Sequence, residues 1–135
     1  MALKNNPGGW GELAIWLLCG GVSLAFLIAG TGKVTGAEMH IANFARWHFP
    51  TWFLYAIGLA EIGGALLLLI PRLATLGASG LAVITAGAVF THFGNGEGFA
   101  KAWAAILLFL FCVLIAYPRR KSLQALIDSF TTADG

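Results

Sequence analysis

Charged residues are scarce in this 135-residue chain. Lys, Arg, Asp and Glu make up 10% of it, whereas they make up roughly a quarter of a typical soluble protein. Hydrophobic residues account for 59%, and the net charge of +2 is too small to indicate nucleic-acid binding. The composition is typical of a membrane protein and leaves no stretch for a separate soluble domain.

Residues that support catalysis or metal binding are also few. The two cysteines, Cys19 and Cys112, form no Cys-x-x-Cys motif, and the three histidines do not recur at i, i+4 spacing. We therefore predict no metal site, and we interpret both cysteines as packing residues. No Ser/His/Asp set is visible, and the glycine-rich residues 94–98 are interpreted as a turn. No cofactor is encoded, and the isolated chain is not expected to be catalytic.

Long hydrophobic runs, in contrast, fill most of the chain. There are four, at approximately residues 12–30, 51–70, 73–93 and 100–117. A helix of 20 residues is about 30 Å long, which matches the hydrocarbon core of a bilayer. We predict an all-α membrane protein in which residues 1–135 form a single domain, a bundle of four transmembrane helices.

Two shorter segments are predicted to be interfacial helices. In the loop after the first run, Thr35 and Glu38 form a capping-box pattern, which predicts a short helix that ends before Pro50. Residues 122–130 form an amphipathic pattern, and Arg119, Arg120 and Lys121 precede them. This tail is predicted to lie on the anionic inner leaflet.

The short loops differ in positive charge. Four spans place both termini and the Pro71-Arg72 loop on one side, which carries five Lys or Arg residues, whereas the other side carries three. The positive-inside rule therefore predicts cytoplasmic N- and C-termini.

Glu61 is the most unusual residue, because it lies in the middle of the second hydrophobic run, about 15 Å from either end. A carboxyl group at that depth costs several kcal/mol unless it is protonated, paired or in contact with water. Ser23 and Thr85 lie at a matching depth, and Lys33 and His92 lie near the outer boundary. These five residues are the predicted ligand-binding site.

A structural role for Glu61 is the alternative interpretation. In it, a protonated Glu61 bonds a neighbouring helix, and Lys33 and His92 are ordinary interface residues. We expect a neutral Glu61 only if Lys33 does not reach it.

Small residues at four-residue spacing predict how the first three helices pack, since close backbone contact drives helix association in lipid. The bulky fourth helix is expected to face lipid or another subunit. The predicted small-residue stripes are Gly21, Ala25 and Ala29; Ala56, Ala60 and Gly64; and Ala74, Ala78, Ala82 and Ala86.

Several motifs occur in an order that resembles the DoxX and DoxX-like family. They are Gly30-x-x-Lys33-x-x-Gly36, residues 44–47, Phe49-Pro50, residues 61–65, residues 70–72, Gly87-Ala88, His92 and Pro118. One departure is that many members carry an Arg early in the first helix, where this chain has Cys19 and Gly20.

The resemblance implies a four-helix protein of the bacterial inner membrane. It further implies a membrane subunit or anchor of a redox-linked complex, quinone- or thiol-related, with other membrane or redox subunits or further copies of the chain as partners. A quinone would suit the predicted site, because its carbonyl oxygens accept hydrogen bonds from Lys or His and its reduced hydroxyls can donate to Glu61.

The sequence leaves two other functions open. The first alternative is a non-enzymatic binding or assembly protein whose pocket around Glu61 holds a small lipophilic molecule. The second is a carrier of protons or small solutes, for which four helices in one chain leave little lumen.

Overall fold

Six α-helices and one short 3-10 turn form the structure. The computed structural model describes residues 9–133, without the side chains of residues 119, 120, 122, 123, 126 and 133. The helices are α1 (Gly9–Val34), α2 (Glu38–Arg46), α3 (Thr51–Leu68), α4 (Ala74–Gly94), α5 (Phe99–Ala116) and α6 (Arg120–Ala133), and the 3-10 turn is Tyr117–Arg119. Residues 9–133 contain no strand, so the all-α fold is confirmed.

The four predicted hydrophobic runs correspond to α1, α3, α4 and α5. Each has 18 residues or more and is apolar enough to cross a membrane. Most boundaries lie within two residues of the predicted ones. The exception is α1, which begins three residues earlier and ends four residues later than predicted, at Val34. This longer C-terminal end includes Lys33.

The bundle is built from neighbours in sequence. α1 packs on α3, α3 packs on α4, α4 packs on α5, and a smaller contact between α5 and α1 closes the ring. Their shared core consists of Cys19, Val22, Phe26, Ala65, Leu68, Ala78, Leu81, Cys112 and Ile115. α5 therefore packs against α4 along one face, and its other face leaves large side chains such as Trp103, Leu110 and Leu114 exposed.

Glycines set the closest contacts between helices. A Cβ atom added at Gly30 of α1 would lie 2.7 Å from the backbone oxygen of Gly58 on α3. One added at Gly77 of α4 would lie 2.7 Å from the backbone oxygen of Gly64 on α3. Because Cβ atoms do not approach backbone this closely, the two helix pairs require glycine at these positions.

The predicted small-residue stripes of the first two spans were wrong at Gly21, Ala56 and Ala60, whereas Gly64 does lie at the close contact with α4. Gly21 has nothing within 4 Å of an added Cβ, and Ala56 and Ala60 are exposed. On α4, Ala74 and Ala78 are fully buried, as predicted. Alanine is too frequent in this chain for four-residue spacing alone to identify the packed face.

The predicted helix in the first loop is confirmed as α2, but its predicted cap is wrong. Its N-cap residue is Ala37, which has no capping side chain. The Thr35 hydroxyl donates instead to the carbonyl oxygen of Thr31, 2.8 Å away. The reason is that α1 continues to Val34, so Thr35 belongs to the end of α1 and not to the start of α2.

Three helices end in Schellman motifs, in which two crossed backbone hydrogen bonds close the last turn. The residue in the left-handed conformation is Gly36 after α1 (φ 72°), His48 after α2 (φ 64°) and Gly96 after α4 (φ 74°). After α4, the amide of Glu97 donates to the carbonyl oxygen of His92 at 2.9 Å, and the amide of Gly96 donates to that of Phe93 at 3.1 Å.

α6 is the predicted amphipathic tail, extended to residues 120–133. Its Ile127 and Phe130 side chains are exposed, whereas the side chains of Leu123 and Leu126, predicted on the same face, lie outside the described part of the structure. A helix with exposed apolar residues next to a basic run fits a membrane surface.

Substituting Gly77 tests the close contact between α3 and α4. We expect Gly77→Ala to destabilise the protein by about 1–3 kcal/mol, because the added methyl group meets backbone atoms that cannot rotate away. Gly80→Ala, on the same helix, is the matched control, since nothing lies within 4 Å of its added Cβ. Thermal unfolding in detergent micelles measures both. Equal stability of the two variants would contradict the packing described.

Candidate functional site

A buried ion pair joins α1 to α3. The Lys33 Nζ atom lies 3.0 Å from Oε2 and 3.2 Å from Oε1 of Glu61, so it donates to both carboxylate oxygens. Only 12% of the Lys33 side chain and 7% of the Glu61 side chain are exposed. Glu61 faces the interior of the bundle. Two of the five predicted site residues are therefore in direct contact.

Each partner of the ion pair follows a glycine by three residues. An added Cβ at Gly30 would lie 3.2 Å from the Cβ atom of Glu61, and one at Gly58 would lie 2.9 Å from the Cβ atom of Lys33. Residues three apart share a helix face, so each glycine makes room for the charged residue of the other helix. The sequence Gly30-x-x-Lys33 thus faces Gly58-x-x-Glu61.

Lys33 lies in the last turn of α1. It packs beside Gly58, about 10 Å along α3 from Thr51. The cause is the extension of α1 to Val34, which makes Lys33 part of the packed helix. The neutral state expected for Glu61 required that Lys33 should not reach it, and that condition is not met.

The free energy of a buried ion pair depends on whether one partner or both are replaced. Removing one partner of a buried ion pair typically costs about 3–5 kcal/mol, because the other charge is left without a counter-ion. Replacing both partners by apolar residues is often neutral or stabilising. Stability alone therefore does not require Lys33 and Glu61, and an ionisable pair between membrane-spanning helices is the candidate functional site.

Ser23 and Thr85 are buried, but their hydrogen bonds go elsewhere. The Ser23 hydroxyl donates to the backbone oxygen of Ala65 at 2.9 Å, which ties α1 to α3. The Thr85 hydroxyl donates within α4, to the backbone oxygen of Leu81 at 2.9 Å. The structure therefore places both residues in the core of the bundle without bonding either to Glu61.

His92 belongs to a second polar cluster. Its Nδ1 atom bonds Oε2 of Glu97. The other carboxylate oxygen of Glu97 lies 2.8 Å from Nη2 of Arg46 and accepts from the indole nitrogen of Trp47 at 3.3 Å. The rings of Trp47 and His92 also meet edge to face, 5.1 Å between centroids. These four residues are called the Glu97 cluster.

Sequence reasoning missed Glu97, which was interpreted only as part of a turn. The turn is the Schellman motif after α4, and it brings Glu97 back against His92 five residues earlier. A hydrophobic contact usually joins these two positions, and here an acid and a histidine replace it. The sequence did contain a signal for this contact, because a His and a Glu lie on either side of the glycine that ends the helix.

α2 connects the two polar sites. Near its start, the imidazole of His40 packs on Gly32, where an added Cβ would lie 3.0 Å from Nε2. Burial is the main cause that lowers the pKa of His40 below its ordinary value, and the positive charge of Lys33 lowers it further. Near its end, Arg46 and Trp47 reach Glu97. α2 therefore lies across one end of the bundle, called the α2 end below.

The two sites offer proton exchange and hydrogen bonding. A lysine and a glutamate can donate to and accept from the polar head of a small molecule, whereas neither carries electrons. Within residues 9–133, the structure shows no group of three His, Cys, Asp or Glu residues placed to hold a metal ion.

Four long apolar helices, with an ion pair between two of them, define the class: this is a multi-pass membrane protein. The family model of the DoxX-like family matches residues 17–116, which contain three whole spans and most of the first. The chain belongs to the DoxX-like family, as its motifs indicated.

A relative shows similarity over most of the chain. The uncharacterized protein YdgD of Bacillus subtilis (strain 168) is 29% identical over 109 residues, which cover 77% of this chain and 88% of the relative. No solved structure matches the chain.

Acid should weaken the Glu97 cluster. The hydrogen bond with His92 is the main cause that lowers the pKa of Glu97 below its ordinary value of about 4.5, and Trp47 and Arg46 add to it. The pKa of Glu97 is therefore lower in the folded state than in the unfolded state. Its carboxylate contributes its full stabilisation above about pH 4.5, and this contribution is lost as pH falls through the folded-state pKa.

We therefore expect Glu97→Gln to be less stable than wild type above pH 4.5, with the difference shrinking in more acidic buffers. Thermal unfolding between pH 3.5 and 7 measures it. Glu38→Gln, on an exposed carboxyl of α2, is the control. A difference between wild type and Glu97→Gln that stays constant over this range would show that Glu97 carries no such linkage.

Proposed function

We propose that this DoxX-like protein is a membrane subunit or anchor of a redox-linked complex that binds a lipophilic molecule with a polar head. A quinone is the proposed ligand. The observation that carries the proposal is the buried Lys33–Glu61 ion pair between two membrane-spanning helices. Stability does not require such a pair, whereas a ligand that exchanges protons would.

The chemistry of the pair suits a quinone. The Lys33 ammonium can donate to a carbonyl oxygen, and the Glu61 carboxylate can accept from a hydroxyl of the reduced form. Before the ligand arrives, each charge neutralises the other, so the pair can lie between helices without water. The ligand head would compete with Glu61 for the hydrogen bonds of Lys33.

Electrons for any redox step would come from a partner subunit or its cofactor, because lysine and glutamate cannot supply them. The isolated chain is thus proposed to bind and position the ligand and not to turn it over. The remaining predicted residues take indirect roles: Ser23 and Thr85 support the helices, and His92 acts through Glu97.

A binding or assembly protein without a redox partner is the second candidate. One observation favours it: Lys33, Ser23 and His92 all have protein partners for their polar groups. In that case the pair would fix the register of α1 against α3, a role that buried polar pairs fill in some proteins. Both candidates predict a stable bundle, but only the first predicts quinone binding.

We further propose the inner membrane as the location, with cytoplasmic termini and an external α2 end. The five-to-three distribution of Lys and Arg between the two sides supports this orientation. A membrane-impermeant maleimide should label a cysteine placed at Asn95 in intact spheroplasts but not one placed at Gln124, since both positions are exposed in the structure. The reverse pattern would invert the orientation.

Photo-crosslinking with a quinone analogue tests the ligand. We expect labelling to fall about tenfold, or about 1.4 kcal/mol of binding free energy, in Lys33→Met and in Glu61→Gln. Ser79→Ala is the matched control, because its hydroxyl bonds only within α4, to the Thr75 backbone. The double variant Lys33→Met/Glu61→Leu leaves no charge unpaired and should fold normally without being labelled.

Circular dichroism and size-exclusion chromatography establish that each variant is folded. Labelling that stays at the wild-type level in the folded double variant would refute quinone binding at the pair. The assembly role would then be the better explanation of Lys33 and Glu61.

A further inference from the structure

α2 is attached to the bundle in an uneven way. It packs on α1 through His40 against Gly32. It packs on α3 through Phe44 against Phe53, and the centroids of these two rings lie 6.2 Å apart. Its C-terminal end reaches the loop between α4 and α5 through Arg46 and Trp47, which both bond Glu97. The α4–α5 side is therefore held by the hydrogen bonds to Glu97 and by the edge-to-face contact of Trp47 with His92.

That attachment is weak compared with the rest of the bundle. The Arg46 side chain is 57% exposed, and ion pairs with an exposed partner contribute little to stability because water competes for both charges. The linkers on either side of α2 are short, and each contains a residue in the left-handed conformation, Gly36 before it and His48 after it. Small backbone rotations in these two linkers would tilt α2.

We infer that α2 is a lid over the Lys33–Glu61 pair and that Glu97 is the latch that holds the lid closed. When Arg46 and Trp47 leave Glu97, the C-terminal end of α2 moves away from the α4–α5 loop and opens a path to Lys33 from the α2 end. Glu97 is thus a positioning residue for the site. The purpose of the lid, control of ligand entry, rests on the proposed function, but its opening can be measured without any ligand.

Three features support the assignment. Lys33 lies on the last turn of α1, directly before the linker that leads into α2. His40 of α2 is close enough to Lys33 for the lysine charge to act on it. Lys33 is only 12% exposed although it lies near the end of its helix, which fits a site covered from the α2 end.

Pulse acetylation measures the opening. The full-length protein in nanodiscs is treated with the water-soluble reagent N-hydroxysulfosuccinimidyl acetate, and mass spectrometry gives the rate at each lysine. We expect Glu97→Gln to raise the rate at Lys33 about fivefold, the factor that corresponds to about 1 kcal/mol of lost latch energy. Lys101 and Lys121 are exposed and serve as internal controls whose rates should not change.

A reversible lock tests the same movement in the opposite direction. In Arg46→Cys/Glu97→Cys, a bifunctional methanethiosulfonate joins the two new thiols. We expect the bridge to lower the Lys33 rate below that of wild type, and reduction to raise it above wild type. Wild type treated with the same reagent is the control, because Cys19 and Cys112 are buried.

Two results would overturn the lid. One is a Lys33 rate that is the same with and without the bridge, and the other is a parallel rise at Lys33, Lys101 and Lys121 in Glu97→Gln, which would indicate general unfolding. Both differ from failure of the proposed function. A lid that opens as expected on a protein that never labels with a quinone analogue would refute the ligand and leave the lid in place.

Discussion

The close approach of α1 and α3 at Gly30 and Gly58 is the contact on which the rest of the site depends. With a side chain at either position, the two helices would have to separate, since each glycine faces the backbone oxygen of the other. The same approach brings Lys33 beside Gly58 and Glu61 beside Gly30, so the two side chains come close enough to form the ion pair. The same glycine contact therefore both packs the two helices and positions their charged residues.

The polar residues at the α2 end follow from how the helices terminate. The Schellman motif at Gly36 directs the chain from α1 into α2, and the one at Gly96 turns Glu97 back onto His92. α2 then lies between the two sites with His40 near Lys33 and Arg46 at Glu97. Three helix ends, each closed by a residue in the left-handed conformation, therefore determine which polar groups meet.

The sequence was enough to predict the four spans and to single out Glu61, because hydropathy and position within a hydrophobic run are local properties of the chain. It did not suffice for the contacts. The sequence did not show that Lys33 reaches Glu61, which depends on the four further helical residues that follow Gly30 in α1. Glu97 was missed because its role depends on backbone geometry at Gly96. The sequence also did not show which side of α3 meets α1, because small residues occur on more than one face of this helix.

Pairing changes what Glu61 can do. An isolated carboxyl at mid-membrane depth would have to give up its charge or recruit water, and either would limit it to one hydrogen-bonding state. A carboxylate held by Lys33 stays between two helices with the net charge of the pair at zero. A neutral ligand can then enter without leaving a charge unpaired, provided that its head replaces the hydrogen bonds it breaks. This requirement favours a polar head that carries both acceptor and donor groups over a plain hydrocarbon or a simple cation.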